Sequence, residues 1–103
     1  MSSVTVAFHR LAARELRKAC EWYEERGAGL GRSFAAEVDL ATERIATAPE
    51  RWPIFRKNYR WLRLHRFPYV LYYTVVDPHR VLVLAVAHGR RRPGYWLHRA
   101  NRP

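Results

Sequence analysis

At 103 residues with 49% hydrophobic content, the chain has material for one compact domain with a single core and too little for two. Its formal net charge of +10 is unevenly placed: residues 1–50 carry seven Lys or Arg against eight acids, net −1, and residues 51–103 carry twelve against Asp77 alone, net +11. No run of about 18 apolar residues occurs, Met1 to Phe8 offer neither a basic leader nor a secretory core, and the lone Cys20 has no second cysteine for a disulfide or a metal site, so a soluble cytoplasmic protein in a reducing compartment is expected.

Val4, Val6 and Phe8 alternate with Thr5 and Ala7, the period of a short half-buried strand. From Leu11 to Arg26 the apolar Ala12, Leu16, Ala19 and Tyr23 recur every three or four residues, while Arg14, Glu15, Lys18, Glu21 and Glu25 lie mostly off that stripe, which predicts an amphipathic helix. Gly27, Gly29 and Gly31 interrupt it. They join two helices and do not follow a strand, so they read as a turn and not as a dinucleotide-binding loop. A second stripe at Leu30, Phe34, Val38, Ala41, Ile45 and Ala48 runs to the stop at Pro49, completing a helical hairpin.

After a loop with Pro49 and Pro53 the period changes to two. Arg60 to Phe67 puts Leu62 and Leu64 on one face and Arg63, His65 and Phe67 on the other, which predicts a strand with one side free for a ligand. Tyr69 to Val76 and Val81 to Ala87 are apolar runs rich in Val and Tyr, and read as core strands. Asp77-Pro78-His79-Arg80 between them suits a tight turn and makes the pair antiparallel. The tail from His88 to Pro103 is Arg-rich, with at most a helical turn expected. Strand, helix, helix and three strands imply an α+β fold, β-α-α-β-β-β, with an antiparallel sheet and the helical hairpin packed on one face.

The other face, partly open, is expected to carry Arg63 and His65, with Arg56, Lys57 and Arg60 at one end and Arg90, Arg91 and Arg92 nearby. These eight residues read either as contacts to nucleic acid or an acidic partner, or as a solvated face. Seventeen of the nineteen basic residues are Arg, which suits bidentate phosphate contacts but also follows from a GC-rich genome. Tyr95 and Trp96 either stack on bases or pack back on the core. The five histidines show no ligand spacing, so no metal and no cofactor are expected. Cys20 has no accompanying base and reads as a helix-face residue.

The element order, the hairpin ending Ala48-Pro49-Glu50, the run Arg66-Phe67-Pro68-Tyr69-Val70-Leu71-Tyr72-Tyr73 and the closing Val81 to His88-Gly89-Arg90 together resemble the RelE/ParE toxin superfamily of bacterial type II toxin–antitoxin systems, over about residues 4–96. The resemblance implies an intracellular toxin held inactive by a cognate antitoxin, acting either by cleaving mRNA on the ribosome or by poisoning DNA gyrase. Metal-free RNA cleavage needs a base, an acid and cations aimed at the phosphate. By similarity to the RNA-cleaving relatives, His88, Tyr95 and Arg63 are the candidate catalytic set. The long hairpin, and the presence of only Lys18 and Lys57 where nucleases of the superfamily often carry a lysine-rich element, lean toward the ParE side. A basic nucleic-acid-binding module without toxicity is the third reading. In each, the +11 half calls for an acidic partner, which in a toxin is the antitoxin.

Overall fold

The computed structural model describes residues 4–101. Strand β1 (Thr5–Phe8) leads into α1 (Arg10–Arg26) and α2 (Leu30–Thr47). Four strands follow: β2 (Ile54–Arg56), β3 (Tyr59–Arg63), β4 (Tyr69–Asp77) and β5 (Arg80–His88). A 3-10 turn at Leu97–Asn101 ends the described chain. Two helices on a five-stranded sheet of order β1-β5-β4-β3-β2 give the expected α+β architecture. Neighbouring strands pair antiparallel except at one edge, where β1 lies parallel to β5. The helical hairpin between β1 and the later strands is the crossover that a parallel pairing requires. Strand β2 falls in the segment read from sequence as a loop, because three residues directly after Pro53 leave no periodicity to detect.

The helices begin on unusual caps. His9 precedes α1, and its Nδ1 accepts a hydrogen bond from the Leu11 backbone N–H. α2 starts at Gly29, whose φ of 87° lies in the left-handed region and whose side offers no cap. The carboxylate of Glu24 on α1 supplies one instead, accepting from the N–H groups of Gly29 and Gly31, both at 2.9 Å. These bonds hold the Glu24 carboxyl below its usual range. A Cβ at Gly31 would lie 2.5 Å from the Cys20 carbonyl oxygen, so only glycine lets the helices approach this closely.

The hairpin packs on one face of the sheet, with Phe34, Val38, Ala41 and Ile45 of α2 against Leu71, Tyr73, Val81 and Val83. Phe34 stands at the centre of an aromatic group with Tyr23, Phe67 and Tyr69, at centroid distances of 5.3, 5.1 and 4.9 Å. The buried Tyr73 hydroxyl donates to the Pro49 carbonyl at 2.6 Å, and burial pushes its pKa up to about 12.

One expected strand is shorter than its pattern. β3 stops at Arg63, and His65 lies in a bend and not on the strand face beside Arg63. Phe67, expected on that same free face, turns into the helix-side core. The cause is Glu37 of α2, which accepts from the backbone N–H groups of His65 and Arg66 and from Arg66 Nε at 3.0 Å, so the bend's backbone is satisfied by a carboxylate in place of a strand ladder. Burial disfavours the charge on Glu37, but the bonds from Arg66 and His65 outweigh it and hold the carboxyl below its usual range.

The second face is covered by the tail. A bulge between Tyr72 and Tyr73 places both Leu84 and Ala85 on this side. Trp96 fills the space above them, fully buried among Phe55, Tyr59 and Tyr72. Of the two readings of Tyr95 and Trp96, packing back on the core is what this structure holds. The tail's last residues, Arg102 and Pro103, lie outside the described residues. Among the described residues no helix is long and apolar enough to cross a membrane.

Candidate functional site

Strand directions decide which basic residues meet. β3 ends at Arg63, β4 starts at Tyr69 and β5 ends at His88, so Arg63, the 64–68 bend and Arg90–Arg92 share one rim. Arg56 and Lys57 sit at the other end of β3, roughly 15 Å away along the strand. There they flank a shallow pocket of about 310 Å³ with Tyr59, His98 and Asn101. Arg60 leaves both groups: its Nη1 donates to the Trp52 carbonyl at 2.7 Å, on the Tyr73 side. The eight basic candidates therefore form two clusters at opposite ends of the sheet, with Arg60 tied down between them.

The candidate catalytic set is also divided. Arg63 and Ala87 both pair with Val70, so they share a face, the one covered by the tail. His88 is the next residue after Ala87 and points to the opposite face, where it meets the Tyr69 ring edge-on at 5.2 Å. The backbone alternation thus aims Arg63 and His88 away from each other. His88 is half-buried, and its Nδ1 accepts the Arg90 backbone N–H at 3.0 Å.

Tyr95 is committed elsewhere. Its hydroxyl donates to Glu15 Oε2 at 2.7 Å, and the Arg91 guanidinium lies 3.7 Å over its ring. Burial, reinforced by the Glu15 carboxylate, pushes the phenol's pKa well above the ordinary tyrosine range. A phenol so held is a donor to Glu15 and a poor base near neutral pH. Glu15 also pairs bidentately with the buried Arg99, through Oε1 at 3.0 Å and Oε2 at 2.9 Å, and accepts from the Val86 backbone N–H at 3.0 Å. Arg99 in turn donates to the Leu84 carbonyl at 3.0 Å. This network wraps the edge of β5 and ties α1 to the tail.

Beside the network a groove of about 540 Å³ opens between α1 and the end of β5. Ala19, Trp22, Tyr23, Tyr69 and Val86 supply its apolar surface, and Lys18, His88 and Arg91 its polar rim. Trp22 is 48% exposed, with the Arg26 guanidinium 3.4 Å over its ring. Sequence reading placed Glu15 and Lys18 off the buried stripe of α1 and passed over Trp22. The signal was present, since residues 15, 18, 19 and 22 follow the three-and-four spacing of a second helix face. Cys20 is half-buried, and burial pushes its thiol pKa up, the condition of an unreactive cysteine. Among the described residues no three His, Cys, Asp or Glu side chains gather in a way that could hold a metal ion.

The family model described as the ParE toxin of the type II toxin–antitoxin system parDE matches residues 6–93. The chromosomal ParDE toxin–antitoxin system of P. aeruginosa contains a chain of the same fold, with a TM-score of 0.66, 17% identity, and coverage of 82% of this chain and 95% of that one. The toxin–antitoxin complex RelBE2 of Mycobacterium tuberculosis contains another, with a TM-score of 0.57, 29% identity, and coverage of 85% and 93%. No functionally curated protein matches the sequence significantly. With the family model covering most of its length, the chain belongs to the ParE toxins of type II toxin–antitoxin systems.

Proposed function

We propose that this toxin arrests growth by binding a protein target, DNA gyrase, and that it is neutralised by a cognate acidic antitoxin. The observation that carries the reading is the division of the candidate nuclease set. Arg63 and His88 face opposite sides of the sheet, and Tyr95 is occupied by Glu15. General acid–base cleavage of RNA requires its groups within hydrogen-bond reach of one phosphate, directly or through a single water. The match to the parDE family model supports the same side of the superfamily. In this reading the buried polar groups are structural, and the exposed helical hairpin and basic rims are the binding surfaces.

The purified chain is expected to inhibit gyrase supercoiling or to trap cleaved DNA, and the acidic product of an adjoining reading frame is expected to relieve the effect. Full gyrase activity at a large molar excess of toxin rules the proposal out. The likeness to the RelBE2 complex keeps a ribosome-dependent mRNA endonuclease as the second reading. Transcript 5′-ends mapped after induction decide for it if they fall inside ribosome-protected codons and Arg63→Ala or His88→Ala abolishes them.

A further inference from the structure

The end of the sheet away from Arg63 carries charge that the fold does not use. Arg56 and Lys57 lie at the tip of the β2–β3 hairpin, and the 3-10 turn at Leu97–Asn101 is held beside it by Trp96, packed on Phe55, Tyr59 and Tyr72. Two segments distant in sequence thereby line one pocket of about 310 Å³, with Arg56, Lys57, Tyr59, His98 and Asn101 as its polar side chains and Leu97 as its apolar one. No carboxylate lines it, and among the described residues none of these five side chains is spent on a hydrogen bond or an ion pair. Asp77, the one acid of residues 51–103, is already answered by Arg80 Nε at 2.7 Å and by the His79 backbone N–H at 2.8 Å.

The hairpin tip is both pinned and strained. Asn58 Nδ2 donates to Thr74 Oγ1 at 3.2 Å, which ties the turn to β4. Lys57 has a φ of 54°, the one positive value at a non-glycine residue among those described. Glycine adopts that conformation freely, so a lysine there is held against a steric cost, and strain of this kind concentrates at ligand-binding positions. The shape then selects the ligand. A shallow site with Arg56, Lys57, His98 and Asn101 exposed does not enclose a small molecule. It suits a polymer of phosphates, which the field of the +11 half collects and which needs only a few charge-assisted bonds at each position.

We infer that this pocket is a phosphate site for duplex DNA: Arg56 and Lys57 take the non-bridging oxygens of one backbone phosphate, and Tyr59, His98 and Asn101 hydrogen-bond to it or to its neighbour. The inference rests on the gyrase reading and deepens it, since it gives the toxin a direct hold on the DNA that the enzyme has bound.

The test uses the full chain and a short fluorescein-labelled duplex of mixed sequence, with affinity read by anisotropy over a salt series. Arg56→Ala and Lys57→Gly change exposed groups and keep their circular dichroism; each lowers the slope of log affinity against log salt by about one and weakens binding about threefold to tenfold. Lys57→Gly also relieves the turn, so its thermal midpoint holds or rises while its affinity falls, a pairing that a merely structural lysine does not give. His98→Gln and Asn101→Ala leave both cations in place and weaken binding about threefold with little change of slope. Arg32→Ala, in the first turn of α2 on the helix layer, removes an equal charge away from the pocket and moves the slope by less than half as much. An equal slope change in Arg32→Ala and Arg56→Ala assigns binding to the overall field and overturns the site. So does a poly-glutamate probe that depends on Arg56 and Lys57 when the duplex does not, which makes an acidic protein the occupant. Supercoiling assays on the same variants separate this inference from the reading beneath it. Duplex affinity that depends on the two cations, in a chain that leaves gyrase active, supports the phosphate site and defeats the gyrase reading. Gyrase inhibition by the variants at wild-type strength, with duplex affinity unmoved, overturns the site and keeps that reading.

Discussion

The two faces of this sheet are closed by different physics. On the helix side, Phe34, Val38, Ile45 and their partners bury continuous apolar surface supplied by whole elements. On the other side a single fully buried tryptophan, Trp96, fills the space, and the segment carrying it is anchored by the Glu15–Arg99–Tyr95 network around the β5 edge. The first closure is non-directional and tolerates small rearrangements. The second depends on one carboxylate that answers a guanidinium, a phenol and a backbone N–H at once, so it fails as a unit when that carboxylate is removed.

The comparison is broken most severely from the helix side. Phe34→Ala removes the ring shared by Tyr23, Phe67 and Tyr69 and is expected to cost about 4 kcal/mol, a large share of the roughly 5–15 kcal/mol that stabilises a domain of this size. Chemical denaturation should show it as a shift of midpoint with an unchanged slope, because the face unfolds with the rest. Glu15→Ala is expected to cost about 3 kcal/mol, since it leaves Arg99 buried at 8% exposure without its counter-charge. Its distinguishing sign is local: Trp96 becomes accessible to fluorescence quenchers under conditions where the helix-side core stays protected from exchange. Equal loss of protection on both faces contradicts a separate closure of the tail side.

The same division explains what could be read in the sequence. The helix-side closure was legible because it is written in local periodicity: Ala12, Leu16, Ala19 and Tyr23 on one helix, Phe34, Val38, Ala41 and Ile45 on the next, and unbroken Val-rich runs for β4 and β5. The tail-side closure joins Glu15 to residues about eighty positions away, and no local pattern announces a contact of that span. The end of β3 was misplaced for the same reason. Arg60 to Phe67 alternates well enough to be a strand, but Glu37, 28 residues earlier, holds the backbone of His65 and Arg66 in a bend. The candidate site suffered most from this. His88, Arg63 and Tyr95 were grouped by resemblance, and strand alternation with the Glu15 network sets them apart.

Glu37 offers a gentler way to sharpen the contrast, through pH. Its folded-state pKa is held below the ordinary glutamate value of about 4.3, so the stability it contributes is fully present above that value and is lost as pH falls through its folded pKa. Glu37→Gln is expected to cost about 1–2 kcal/mol at neutral pH and to flatten the acid limb of the stability curve. Thermal melts of both proteins between about pH 3 and 7 supply the measurement, and parallel acid limbs would show that the bend draws no strength from this carboxylate's charge.

The smallest expected effect on the fold is at Arg63, and it asks whether the tail-side face is a binding surface at all. Arg63 is exposed, and its guanidinium lies 5.8 Å from the Trp61 ring centroid, a long contact in open solvent. Arg63→Ala is therefore expected to change stability by no more than about 0.5 kcal/mol. If this face gathers a polyanion, the same substitution lowers the slope of log affinity against log salt by about one, as the loss of a single phosphate contact does. Arg56→Ala at the far end of β3 then gives a second, independent decrement, because the two cations are too far apart to share one phosphate. An unaltered salt slope in both variants leaves Arg56 and Arg63 as solvated charges and concentrates the chain's recognition on the helical side, where the groove beside Trp22 lies.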